Sequence, residues 1–491
     1  MSDKMVQTRA SKVMTLASGQ LTTTLVNLVI AAVLSRMLTK TEYATYTQAM
    51  LTYQFLAPLL ALGLPQALYY FIPRDSQRAR GILVENLILL STAGVLFGLF
   101  LLAGGNELVA VRFNNPALAP LLLRLAPYPM IMLPLMAVSS CLMAQDRPLH
   151  VAAFNMTSRL LVLMLVLIAV TQLSATPTIA LTAVIVAMAI SLPVGILLMF
   201  RATRDTEGRV AWKGMGEQLK YAAPMGLASM IGTITLQIDK VIVSSMVPAE
   251  SFAIYVNGAI EVPLMSVITG SIMAVLLPEM VRLYQSNRAT DAIILWGRAA
   301  LKSSLIIFPV TVFLFIFREE TMVVLFSESY RASAVPFAIY LLLLPIRIVL
   351  YGAAFMAAGR SDLILKRALL AFVVNILFSI LLVHFIGYVG AAIGSVLTMY
   401  IWIVPYNFHH ISKIYQRSLK RVLPFAQLGR VALFVLVAGV VPAVVAHFTD
   451  LVPLMDLAVN GLIYCILVLV LYIRFGLLSR EDLRLRKRIE S

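Results

Sequence analysis

The chain has 491 residues, 60% of them apolar and only 13% charged, against roughly 45–50% and 25% in soluble domains. So little polar surface excludes a soluble globular protein of this length. The net charge of +16 does not mark a nucleic-acid partner, because the basic residues fall in short loops between long apolar blocks.

The apolar blocks are continuous rather than alternating, which predicts helices and argues against transmembrane strands. In chain order the spans are expected at 13–35, 44–72, 81–103, 118–144, 149–171, 178–200 and 222–247, then 252–281, 292–317, 334–358, 363–385, 388–408, 426–447 and 453–474. Ahead of the first block, Met1–Lys12 is polar, and the block itself is too long for a cleavable signal. Lys4, Arg9, Lys12, Arg74, Arg78, Arg80, Arg147, Lys413, Arg417 and the tail from Arg474 to Arg488 share one side with the basic linker 201–220. The other side carries Arg36, Lys40, Arg112, Arg318 and Arg331. By the positive-inside rule, both termini are cytoplasmic.

The chain also repeats itself. Ser35–Tyr46 aligns with Ser244–Tyr255 with four identities, and Phe113, Ala144 and Arg147 match Phe326, Ala357 and Arg360 at one constant offset. Both matches fall at corresponding spans, the first against the seventh and the fourth against the tenth. The reading is an all-α polytopic membrane protein of about fourteen transmembrane helices. Two six-helix lobes are related by a parallel pseudo-two-fold repeat, an arrangement known in transporters, and two C-terminal helices lie outside it. The expected boundaries are 1–205 for the N-lobe, 206–220 for a cytoplasmic interfacial linker and 221–412 for the C-lobe. Residues 425–474 form the extra pair and 475–491 the basic tail. Within the linker, Trp212 between Arg209 and Lys213 suits a helix at headgroup level.

Little catalytic chemistry is present. The outer loops are short, there is no G-x-x-x-x-G-K-[ST] nucleotide loop, and the five histidines lack metal-ligand spacing. Cys141 and Cys465 both lie in apolar spans, so neither a disulfide framework nor a thiolate metal site is expected. No enzyme activity, cofactor or metal is predicted. Transport remains.

Ionisable groups at membrane depth are costly and tend to face a bundle interior or a wet cavity. Glu85, Arg124, Arg159, Asp239, Lys240, Glu261 and Arg347 are the candidates. Arg298, Lys302, Lys366 and Arg367 lie near cytoplasmic ends, where snorkelling accounts for them. The surplus of basic groups favours an anionic substrate, since Arg matches phosphate in a bidentate fork. Arg159→Ala or Arg347→Ala is therefore expected to abolish transport and leave insertion normal. Span one carries Ser18, Gln20, Thr22, Thr23, Thr24 and Asn27, which either line a water-filled groove or hydrogen-bond to neighbouring helices. Pro58, Pro65, Pro127, Pro129, Pro134, Pro263, Pro278 and Pro345 are expected to kink their spans.

Several stretches resemble the polysaccharide-unit (O-antigen or exopolysaccharide, Wzx-type) flippases of the multidrug/oligosaccharidyl-lipid/polysaccharide exporter superfamily. They are Gln237–Val243 with Ser251–Tyr255, Leu276–Met280, Leu325–Tyr330, Ala357–Arg360, Asn375 and Gly387–Gly394. In the second stretch, Ser251 and Phe252 stand where that family has glycine. The resemblance implies two lobes that expose a central cavity alternately to the two faces of a bacterial inner membrane. It implies a substrate of undecaprenyl-diphosphate-linked oligosaccharide, and a polysaccharide polymerase and chain-length regulator as possible partners. Arg124, Arg159, Lys240 and Arg347 become candidates for the pyrophosphate, and Gln20, Thr24 and Asn27 for the cavity wall. Asp239, Glu261 and Glu85 become candidates for ion coupling. Four other readings stand beside this one. A drug or metabolite cation antiporter of the same superfamily would need an acidic cavity. A fourteen-span major-facilitator transporter would carry a Gly-x-x-x-Asp-Arg loop where Ile72–Arg80 stands. An enzyme such as a lipid-linked sugar polymerase is the third, and the short outer loops count against it. A membrane component of a polysaccharide assembly complex without transport activity is the fourth.

Overall fold

The computed structural model describes residues 2–418, 422–449 and 451–477. Among the described residues every regular element is helical. The first part of the chain forms α1 (Ser2–Met37), α2 (Lys40–Ala61), α3 (Leu64–Arg74), α4 (Ala79–Phe100), α5 (Asn106–Arg112) and α6 (Leu118–Leu125). It continues with α7 (Tyr128–Ala144), α8 (Pro148–Ile168), α9 (Pro177–Ala202), α10 (Trp212–Thr235), α11 (Ile238–Met246) and α12 (Ala249–Gly258). Then come α13 (Pro263–Gln285), α14 (Ala289–Ile316), α15 (Arg318–Phe326), α16 (Ala334–Leu341), α17 (Leu344–Arg347) and α18 (Tyr351–Ala357). The chain ends in α19 (Ser361–Ile386), α20 (Val389–Leu397), α21 (Val404–Ile414), α22 (Phe425–Phe448) and α23 (Pro453–Arg474).

The fold class is the all-α polytopic one expected. Among the described residues, ten helical stretches are long and apolar enough to cross a membrane, and they coincide with ten of the expected spans. Of the other four, the first lies within the continuous helix α1 and three are broken. Residues 118–144 form the pair α6 and α7, bent by 49°. The seventh span divides into α10 and α11 at Leu236–Gln237, and the eighth into α12 and α13 before Pro263. Prolines explain part of this pattern. Pro65, Pro129, Pro263 and Pro345 sit in the first turn of a new helix, where a missing N–H costs nothing. Pro58, Pro134 and Pro278 lie inside helices, and Pro127 caps α7.

The chain divides into two compact units. One comprises Met1–Val256 with Ala368–Gly394, and the other Asn257–Arg367 with Ser395–Ser491. In the first unit, α1 packs along α8, and α4 along α7. Gly94 and Gly98, one turn apart on α4, face the backbone of Ala126–Met130, so that a Cβ at either would lie 2.8 Å from a carbonyl oxygen. Lipid supplies no hydrophobic drive between helices, and small residues let backbones approach instead. The same device joins α10 to the α2–α3 break. Leu62 and Gly63 both have positive φ (43° and 74°), and Gly226 presents its bare Cα to them. A Cβ on Gly63 would lie 2.9 Å from Gly226 Cα, so neither position takes a side chain without displacement.

In the second unit the last helix pair packs on α14. Val431, Val435 and Ala438 of α22, with Tyr464, Val468 and Tyr472 of α23, form a buried cluster. Against it lie Leu301, Leu305, Phe308 and Val312, a stripe at helical spacing on α14. The Tyr472 hydroxyl donates to the Leu305 carbonyl at 3.3 Å and the Trp296 indole to Leu350 at 3.0 Å.

Candidate functional site

Three groups of polar residues stand out among the described residues of the first unit's transmembrane helices. The first starts from α2. Its N-terminus is fixed by a capping box: Thr39 accepts from Glu42 N–H, and the Glu42 carboxylate accepts from Thr39 N–H at 3.0 Å. The following turns put Thr45, Gln48 and Thr52 on one buried face. Asn115, next to the left-handed Asn114, donates to Gln48 Oε1 at 2.6 Å and to Thr45 Oγ1 at 2.9 Å. Gln48 in turn donates to Ser244 Oγ of α11 at 2.9 Å. This buried network ties α2, the α5–α6 loop and α11 together.

The second group surrounds Arg159, about three turns into α8. Tyr46, Tyr53 and Tyr128 lie within electrostatic range of its charge. Tyr46 and Tyr53 are seven residues apart on α2 and so share a face, and the Tyr53 and Tyr128 rings meet edge-on at 4.9 Å. All three tyrosines are buried and Arg159 is half-buried. Among the described residues Arg159 has no hydrogen bond and no acid partner.

The third group is the acid Glu85 of α4, whose side chain is fully buried. It pairs with Arg78 and accepts from Ala211 N–H at 2.8 Å and from Gln218 Nε2 at 3.1 Å. Gln218 is shared with Asn86, which donates to it at 2.9 Å. The same region staples the linker by backbone: Gly81 N–H donates to Glu207 O at 3.0 Å, and Glu207 N–H to Gln77 O at 2.6 Å. Arg80 N–H also donates to Thr206 Oγ1 at 3.0 Å. Exposed Trp212 opens α10 immediately beyond the staple.

The remaining residues singled out from the sequence are placed as follows. Asp239 is buried in the first turn of α11, where a carboxylate suits the helix dipole. It accepts from the Tyr255 hydroxyl at 2.7 Å and from Lys240 N–H at 2.8 Å. The Lys240 ammonium is half-buried, with no acid partner among the described residues. Arg124 is exposed in the last turn of α6, likewise without a partner among them. Thr24 is half-buried and Asn27 exposed on α1, and the Gln20 side chain lies outside the described residues. In the second unit, Arg347 forms an ion pair with Glu261, their side chains 33% and 57% exposed. No hydrogen bond or ion pair joins Arg124, Arg159 and Lys240 to one another among the described residues. The tyrosines around Arg159 and the amide network of Gln48 and Asn115 were not read from the sequence. The i,i+7 tyrosine stripe on α2 is the one signal that could have shown them. No group of three metal-ligating side chains occurs among the described residues.

The described residues form an all-helical, multi-pass membrane fold with broken spans, and comparison with known proteins agrees with that fold. A family model described as "Polysaccharide biosynthesis protein" matches residues 10–284, and the chain belongs to that family. Among solved structures, the lipid II flippase MurJ in an inward closed conformation aligns with a TM-score of 0.71 at 14% identity, over 94% of this chain and 99% of that one. An inward-facing multidrug resistance MATE family transporter of the MOP superfamily aligns with a TM-score of 0.63 at 19% identity, over 83% and 99%. A MOP superfamily transporter from Pyrococcus furiosus aligns with a TM-score of 0.58 at 17% identity, over 83% and 96%. No curated protein matches the chain in sequence.

Proposed function

We propose that the chain is a flippase for surface polysaccharide biosynthesis. It would turn undecaprenyl-diphosphate-linked oligosaccharide units from the cytoplasmic to the outer leaflet of a bacterial inner membrane by alternating access, with both termini cytoplasmic. The observation that carries this reading is Arg159. An arginine at the centre of a membrane helix costs about 2.5–3.5 kcal/mol on insertion scales, and no acid partner among the described residues offsets that cost. A structural role leaves the expense unanswered. A lipid pyrophosphate answers it, because guanidinium and phosphate pair bidentately.

Lys240 and Arg124 are candidates for the same anion, with Gln20, Thr24 and Asn27 as cavity wall. Arg347 is the weakest of the four basic candidates, since Glu261 already neutralises it. Asp239, buried in α11 with the Tyr255 hydroxyl on its carboxylate, is the candidate for a coupling cation or proton. Glu85 holds the linker, and Glu261 pairs with Arg347. A cation antiporter of the same fold would invert this balance, with acids free and bases paired. A polymerase and a chain-length regulator are the expected partners.

The test is deletion of the gene. Lipid-linked repeat units should accumulate in the cytoplasmic leaflet and surface polysaccharide should fall. Unchanged polysaccharide in a strain with no second flippase would overturn the proposal.

A further inference from the structure

The seam between α14 and α22 carries a feature that the proposed transport reaction does not use. Where the two helices begin, a cavity of about 250 Å³ opens, lined by Ile294, Gly297, Arg298, Leu301, Leu423 and Gln427. Its geometry follows from the sequence. Gly297 lets the Pro424 ring approach to 3.3 Å from where a Cβ would stand, so the segment entering α22 props against α14. One turn further on, Leu301 packs into the Val431 cluster and closes the deep end.

Among the described residues, the one charged side chain that lines this cavity is basic, and two further basic residues follow at helical spacing. Arg298 lines it, Lys302 follows four residues later on the same face of α14, and Arg430 follows Gln427 by three on α22. All three are exposed, and among the described residues none has a hydrogen bond or an ion pair. The nearest acid along α14, Asp291, is held by Arg288 at 2.7 Å. At 1.5 Å per residue, Arg298 lies about 14 Å and Lys302 about 20 Å from the start of a membrane-crossing helix. Beyond the cavity, both helices present apolar side chains outward, among them Ile306, Leu433, Leu436 and Val437. Snorkelling explains one long cation near a helix end. It does not explain Arg298 in a cleft lined by leucine and isoleucine, with Lys302 one turn along α14 from it and Arg430 one turn along α22 from the lining Gln427.

We propose that this cleft is a binding site for an anionic membrane phospholipid. Its phosphate would lie between Arg298, Lys302 and Arg430, and its acyl chains along the outer α14–α22 face. Near a membrane surface each Lys or Arg strengthens attraction to anionic lipid about fivefold. The inference is independent of the transported substrate.

Native mass spectrometry on the purified full-length protein, titrated with phosphatidylglycerol or phosphatidylcholine, tests it. The wild type should retain one phosphatidylglycerol in clear preference to phosphatidylcholine. The Arg298→Gln/Lys302→Gln/Arg430→Gln variant should lose that preference by roughly a hundredfold, and each single variant by about fivefold. Arg201→Gln/Lys213→Gln, two charges removed elsewhere, should leave it unchanged. Equal binding of the two lipids by the wild type would overturn the proposal. So would an unaltered preference in the triple variant, or an equal loss in the control. The single variants keep the test decisive if the triple variant does not fold.

Discussion

Glu85 and Arg159 are both charges within membrane-crossing helices of the same compact unit, yet they are used in opposite ways. Glu85 is enclosed by Arg78, Gln218 and the Ala211 amide, and it fixes the linker and the start of α10 to α4. Arg159 has three tyrosines near it and no acid partner among the described residues. A buried charge that is satisfied holds the molecule together. A half-buried one left unsatisfied, at a cost of several kcal/mol, is on the proposed reading kept for something that binds.

Removing the satisfied charge should therefore damage the fold, and removing the other should not. The largest stability loss is expected for Glu85→Ala, about 3–5 kcal/mol, because it strands Arg78 and the buried Gln218 amide. Thermal unfolding in detergent measures this. A loss below about 1 kcal/mol would show that the node does not hold the linker. Gln48→Ala should cost about 1–3 kcal/mol by the same measurement, since Asn115 and Ser244 both lose a buried partner. Tyr255→Phe removes one hydroxyl from Asp239 and should cost about 0.5–1.5 kcal/mol. Arg347→Ala breaks a partly exposed pair and should cost less than about 1 kcal/mol. If Arg347→Ala proved as damaging as Glu85→Ala, the distinction between holding and waiting charges would not extend to the second unit.

Much of the fold was legible because its signals are local. Apolar blocks located ten crossing stretches, and the internal repeat carries into backbone conformation. The residue after Phe113, Asn114, has φ of 48°, and the residue after Phe326, Ser327, has φ of 96°. The residue before Arg147, Asp146, has φ of 54°, and the residue before Arg360, Gly359, has φ of 71°. The matched residues thus flank the same two left-handed positions at the same offset of 213 residues. The breaks were harder to read. Leu62 carries positive φ inside a continuous apolar run, and only the bare backbone of Gly226, far along the chain, makes room for it. The site was legible as a set of charges but not as a set of roles. Whether Glu85 couples an ion or anchors a linker depends on Ala211, 126 residues away. That contact exists only once α4 and α10 have packed, so periodicity cannot show it. The final helix pair, unplaced by the repeat, is placed by packing: its stripe of Val431, Val435 and Ala438 lies in one buried cluster backed by α14.

The most direct test of the central claim measures translocation and stability together in one variant. Arg159→Ala should insert and melt within about 0.5 kcal/mol of the wild type, as a surface substitution would. In proteoliposomes it should nevertheless lose translocation of a polyprenyl-diphosphate-linked oligosaccharide, and in cells it should fail to restore surface polysaccharide. Wild-type translocation by Arg159→Ala would contradict the assignment of Arg159 as the anion-binding charge.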